Sequence, residues 1–109
     1  MNSLTKRCVT VKQTKSRKLS ASQIIEMCLP EQGAIEVQQD QPHKEHRWHY
    51  HDTHETIVIL KGQLLFFWEG GKRVCGPGDV IDLPQGLYHG SRALEAGAKY
   101  VIAFRQVEI

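Results

Sequence analysis

Short runs in which apolar and polar residues alternate, broken every few positions by turn residues, account for most of the chain. A period of two places every second side chain on one face, so each run predicts a half-buried strand. The runs cover residues 4–11, 34–39, 44–51, 55–60, 63–68, 72–75, 80–83, 87–91 and 98–107. Turns are predicted between the later ones at Glu69-Gly70-Gly71, Gly76-Pro77-Gly78-Asp79, Pro84-Gln85-Gly86 and Glu95-Ala96-Gly97. One stretch departs from the alternation. Ser20 and Gln23 have the spacing of a capping box, Ile24, Ile25, Met27 and Cys28 follow, and Pro30 stops the pattern. That predicts one helix of two turns. Many short strands with at most one short helix make an all-β sandwich or barrel.

The 109 residues suffice for one domain, spanning 1–109, with a single core and one pocket. A composition of 40% hydrophobic and 24% charged residues is that of an ordinary globular chain and excludes disordered or collagenous classes. The longest apolar run, Leu64 to Trp68, falls far short of the roughly 20 residues of a spanning helix, so no membrane partner is expected. The basic N-terminus lacks the apolar stretch of a signal peptide, and the expected location is cytoplasmic. Cys8, Cys28 and Cys75 are odd in number and widely spaced, which supports neither a disulfide framework nor a zinc ribbon. They are expected to be reduced and structural or incidental.

The net charge of +2 conceals an asymmetry. Lys6, Arg7, Lys12, Lys15, Arg17 and Lys18 give the first eighteen residues +6, leaving eight basic against twelve acidic residues, or −4, in the rest. This arm carries no aromatic residue to stack on bases, so nucleic acid is not an expected partner.

Candidate chemistry concentrates in the histidines. Five of six, His43, His46, His49, His51 and His54, fall within twelve residues, and His89 follows a Pro-x-Gly turn far downstream. On a strand, His49 and His51 point the same way about 6.6 Å apart, close enough for one ion to reach both imidazoles. Glu55 has the same parity, but a straight strand carries it about 13 Å from His51, so a shared ion requires a bend at Asp52-Thr53-His54. Those short polar residues suit one. His43, His46 and His54 are read as exposed or supporting residues. Three imidazoles and a carboxylate suit one divalent transition metal ion: manganese, iron, nickel, copper or zinc.

These residues carry a resemblance. His49-x-His51-x-x-x-Glu55-x6-Gly62 resembles the first motif of the cupin superfamily, and Gly78-x5-Pro84-x-Gly86-x-x-His89 resembles the second. The fifteen residues between them, 63–77, are similar in length to the spacer of small single-domain cupins. The resemblance implies an RmlC-like jelly-roll β-barrel with a metal held inside one end by His49, His51, Glu55 and His89. Two positions depart from the pattern, neither of them a ligand: His43 stands where the family often has glycine, and Ala93 where it often has asparagine. Cupins include dioxygenases, decarboxylases, isomerases, metal-free epimerases and ligand-sensing domains, so the resemblance does not select an activity.

By the same resemblance Gly62 is a corner between sheets, and Ile57 and Ile59 share the inward face of Glu55. Leu64 and Phe66 fill the core, and Trp68, at the end of its strand, is the expected pocket wall. Arg47 has the parity of His49 and His51, where a guanidinium could grip a carboxylate; the alternative is a surface arginine paired with Glu45 or water. Arg73 is expected in solvent, because an unpaired buried charge costs several kcal/mol, roughly. No separate catalytic base is evident. The expected function is metal-dependent oxygenase or isomerase chemistry on a small, anionic organic molecule, with non-catalytic ligand binding or sensing as the alternative. Leu65, Phe67 and Val74 point outward together, and a patch of that kind predicts a twofold homodimer.

Overall fold

The capping box forms in the computed structural model, which describes residues 8–13 and 19–109. Ser20 Oγ accepts the Gln23 amide at 3.1 Å, and Gln23 Oε1 accepts the Ser20 amide at 2.8 Å. Two amides that a helix start leaves free are thereby satisfied. Helix α1 spans Ala21–Cys28 and stops at Leu29, because the residue before a proline avoids helical backbone. The Arg105 guanidinium donates to the carbonyls of Cys28, at 2.7 Å, and Leu29, at 3.2 Å, placing a cation at the negative end of the helix.

Seven strands follow the alternating runs: β1 Thr10–Gln13, β2 Ile35–Asp40, β3 Glu45–His49, β4 Glu55–Trp68, β5 Gly71–Cys75, β6 Asp79–Leu83 and β7 His89–Ala103. All pairs are antiparallel, in the order β1-β6-β4-β7-β2, with β3 added on β7 and β5 on β4. The first half of β4 pairs with β6 and the second half with β5, while β7 accompanies both halves. Two long strands thus run through both sheets of a jelly-roll barrel. The expected strand at residues 4–11 survives only from Thr10, and its residues 4–7, with Lys6, Arg7, Lys15, Arg17 and Lys18 of the basic arm, lie outside the described residues.

Two expected breaks are instead kinks in continuous strands. Residues 55–60 and 63–68 form one strand through Gly62, whose φ is 76°. Opposite it, Gln63 alone separates Gly62 from Leu64, whereas Leu94 to Gly97 separate their partners Ala93 and Ala98. The expected turn at Glu95-Ala96-Gly97 is therefore an outward bulge of β7, and both strands turn the barrel's corner there.

Alternation sorts the core into two layers. Ile57, Ile59, Leu64, Phe66, Ile81, Leu83 and Tyr100 face the barrel interior, whereas Val58, Val80 and Val101 face outward against Ile24 and Cys28 of α1. Cys28 and Cys75 are fully buried and all three cysteines are free. Burial pushes the Cys75 thiol up to about 11 and raises that of Cys28, which keeps both unreactive near neutral pH. The turn after β4 is Glu69-Gly70, two residues long, so Arg73 lies opposite Phe66. Its side chain is nonetheless exposed, because β5 is an edge strand paired only with β4.

Candidate metal centre

Strand β3 delivers His49, the bend at Asp52 and Thr53 turns the chain back, and the first residue of β7 is His89, directly paired with His49. Three imidazoles converge as a result. The candidate ligand atoms of His49, His51 and His89 lie within 4.8 Å of one another. Ring centroids are 4.4 Å apart for His49 and His89, 4.7 Å for His49 and His51, and 5.3 Å for His51 and His89.

Second partners fix two of the rings. Nδ1 of His49 donates to the carbonyl of Arg47, and Nδ1 of His89 donates to that of Leu87 at 2.9 Å. A carbonyl can only accept, so each ring carries its proton on Nδ1 and keeps a lone pair on Nε2. Phe66 stacks on His89 at 5.6 Å and 19°, closing its other face. Burial pushes the His89 imidazole down to about 4, which leaves it neutral at pH 7 and able to ligate.

Glu55 opens β4 and is buried, with Oε2 3.8 Å from Nε2 of His51. Burial pushes its carboxyl up to about 7, with His49 opposing the shift. A divalent ion beside the three imidazoles would supply the positive charge that a buried carboxylate needs. Three imidazole nitrogens fit such an ion; Glu55 lies outside their converging group but borders it through His51, where its carboxyl can add a fourth donor.

A cavity of about 370 Å³ extends from these residues into the barrel. Ile57, Leu64, Phe66, Ile102 and Phe104 supply its apolar wall, and Glu36, Gln38, His46, Ser91 and Tyr100 much of its polar one. Leu64 and Phe66 thus border the cavity as well as filling the core. Arg47 and Trp68 do not border it. Arg47 is displaced by a one-residue bulge: His46 pairs with Ser91 and His49 with His89, so three steps on β3 match two on β7. The extra residue shifts the alternation, leaving Arg47 and Trp48 exposed and bringing both His46 and His49 to the cavity. Trp68 is partly buried beside Phe66, with its indole over Gly70 and Gly71 at the end of the hairpin.

His46, read from sequence as a supporting or exposed residue, lines the cavity, and no sequence signal announces the bulge that puts it there. His54 instead bonds Asp82 at 2.7 Å. His43 is exposed and has φ 68°, a left-handed backbone that explains why glycine is common at this position. Its amide donates to the carbonyl of Ala93, whose own amide donates to Lys44.

The Cupin_2 family model, a cupin domain, matches residues 36–103. The chain belongs to the cupin family. No curated protein matches this cupin. Among solved structures it is similar to DMSP lyase DddQ from Ruegeria pomeroyi DSS-3, with 27% identity and a TM-score of 0.62. That likeness covers 66% of this chain and 37% of the lyase, so the cupin spans little more than a third of the lyase's length. A DUF861 family protein from Thermotoga maritima is 26% identical with a TM-score of 0.56, over 85% of this chain and 96% of that one. KdgF from a Halomonas species, 21% identical with a TM-score of 0.53 over 72% and 87% of the two chains, shares the fold. No helix among the described residues is long and apolar enough to cross a membrane.

Proposed function

We propose that this cupin is a metal-dependent enzyme acting on a small, anionic organic molecule, with one divalent transition metal ion held by His49, His51, Glu55 and His89. The convergence of the three imidazoles, two of them held with Nε2 free by carbonyls at their Nδ1, carries this reading. Surface histidines that merely share a loop have no cause to be oriented in this way. When bound, the ion supplies Lewis-acid polarisation of a ligand oxygen. The chain's own residues shape the rest: the apolar wall excludes water, and Gln38, Ser91 and Tyr100 offer hydrogen bonds. No lysine or arginine is among the described residues lining the cavity, so a ligand's negative group has the metal end as its positive partner. Oxygenase or isomerase chemistry is the proposed class, and the likeness to a lyase adds lyase chemistry to it. A cytoplasmic setting is part of this reading, supported by the three free thiols.

Metal binding is expected to stabilise the fold. At about a hundred times the dissociation constant, a ligand specific to the native state adds about 2.7 kcal/mol, which raises Tm by about 10 °C in a domain of this size. Thermal melts of chelator-stripped protein with manganese, iron(II), nickel, copper or zinc test this, and a chelator should reverse the gain. Unchanged melting with all five metals would contradict it.

We further propose a homodimer built on the outer face of β4 and β5. Leu65 lies opposite Val74, which is 47% exposed, and Trp48, 54% exposed, packs on Phe67 with ring centroids 5.1 Å apart. Contiguous apolar surface of this kind is usually covered, most often across a twofold axis. Light scattering at micromolar concentration should give twice the chain mass, and Trp48→Glu with Val74→Glu should halve it. A monomeric unmutated protein would rule the dimer out.

A further inference from the structure

A second polar cluster borders the same cavity, and the metal site makes no use of it. Asp40, the last residue of β2, is 4% exposed. Its Oδ2 accepts the Tyr100 hydroxyl at 2.7 Å, its Oδ1 accepts the Gln38 amide at 3.2 Å, and both oxygens lie 3.1 Å from Nε2 of His46. Burial acts to raise the Asp40 carboxyl, but the bonds from Tyr100, His46 and Gln38 outweigh it and hold the group below its ordinary value. It is therefore ionised near neutrality and can only accept. Nε2 of His46 also lies 3.1 Å from the Gln38 amide nitrogen, but both oxygens of the ionised carboxylate are equally near and their charge outweighs that neutral donor, so Nε2 carries the proton. Nδ1 has no hydrogen-bond partner among the described residues and keeps its lone pair in the neutral ring. His49 and His89 have the opposite tautomer. Imidazoles of both kinds line one cavity, and among the described residues lining it His46 is the imidazole within hydrogen-bond distance of a buried carboxylate, the arrangement of an oriented base.

We propose that His46, positioned by Asp40, is the general base of this cavity and removes a proton from the carbon beside the carbonyl of a small carbonyl acid. The inference rests on the metal-dependent reading above and narrows its ligand class. With no lysine or arginine in the described lining, the acid's carboxylate belongs at the metal end. His46 and His49 pair with Ser91 and His89, two residues apart on β7, or about 6.6 Å along the strand. That separation suits a ligand of a few carbons. In the step, the carbon–hydrogen bond breaks and its proton passes to Nδ1 of His46. The electron pair stays on the ligand, shared between carbon and carbonyl oxygen. The imidazolium so formed is stabilised by Asp40, and return of the proton to the same or a neighbouring carbon leaves no net oxidation or reduction. Proton removal of this kind begins an isomerisation.

Two readouts test the base. Long-range ¹⁵N–¹H correlation spectra of the full chain, metal-free and zinc-loaded, should show His46 protonated on Nε2, and Asp40→Asn should weaken that preference. In D₂O, the metal-loaded chain should exchange the C3 protons of pyruvate and 2-oxobutanoate, followed by ¹H NMR. His46→Gln should lower that exchange by about 100-fold or more, the lower end of a general base's contribution, with metal content unchanged. A His46 protonated on Nδ1, exchange unaltered in His46→Gln, or no exchange of either probe by the metal-loaded chain would each overturn the proposal. Failure of the unmutated chain to take up metal would instead remove the metal-dependent reading, and the metal-free spectrum would still decide the state of His46.

Discussion

Replacing Gly62 with alanine is expected to destabilise the chain by about 3–5 kcal/mol, the range reached when strain and a backbone clash coincide. A Cβ at this position would lie 2.1 Å from the Gly97 carbonyl oxygen and 2.9 Å from its carbon, and the backbone φ of 76° is unfavourable to any side chain. The neighbour is main chain within the β4 and β7 ladder, so no side chain can swing aside. Gly97, itself at φ 75°, is wedged against the Asp40 carbonyl, so relief by moving β7 would disturb β2 as well. At roughly 4 °C or more per kcal/mol, Tm should fall by more than about 10 °C. Gly76→Ala is the control. Its Cβ would meet nothing nearer than 3.9 Å and should change Tm little. A shift below about 2 °C in Gly62→Ala would mean that the corner is not built as described.

The parts of the site legible in the sequence were those governed by local rules. The spacing of His49 and His51, the short polar residues at the bend and the turn before His89 each describe a few consecutive residues, and the three imidazoles converge through them. The helix was equally plain, since its cap and its stop are written within eleven residues. Features that depend on two strands at once were not legible. Parity placed Arg47 beside His49 because it assumes an unbroken ladder, and the bulge that reverses the assignment exists only in the pairing of β3 with β7. The same blindness hid His46 and therefore a candidate base. Gly62 and Gly97 read as breaks because glycine punctuates turns, yet here they let two strands bend together without ending. Trp68 shows a third limit. Its strand position is on the face of Phe66 and His89, but the two glycines after it leave room for the indole to fold back over the hairpin, away from the cavity.

Metal content tests the central claim most directly. The protein is purified without an affinity tag, equilibrated with each candidate divalent metal, freed of excess, and analysed for metal per chain, beside His51→Ala and His89→Ala. Removing one of four donors typically weakens a site by orders of magnitude, and loss of the buried His89 also removes the ring stacked on Phe66. The account predicts about one ion per unmutated chain with at least one of the metals and far below that in either variant. Full stoichiometric metal in His51→Ala or His89→Ala, or none in the unmutated chain, would contradict it.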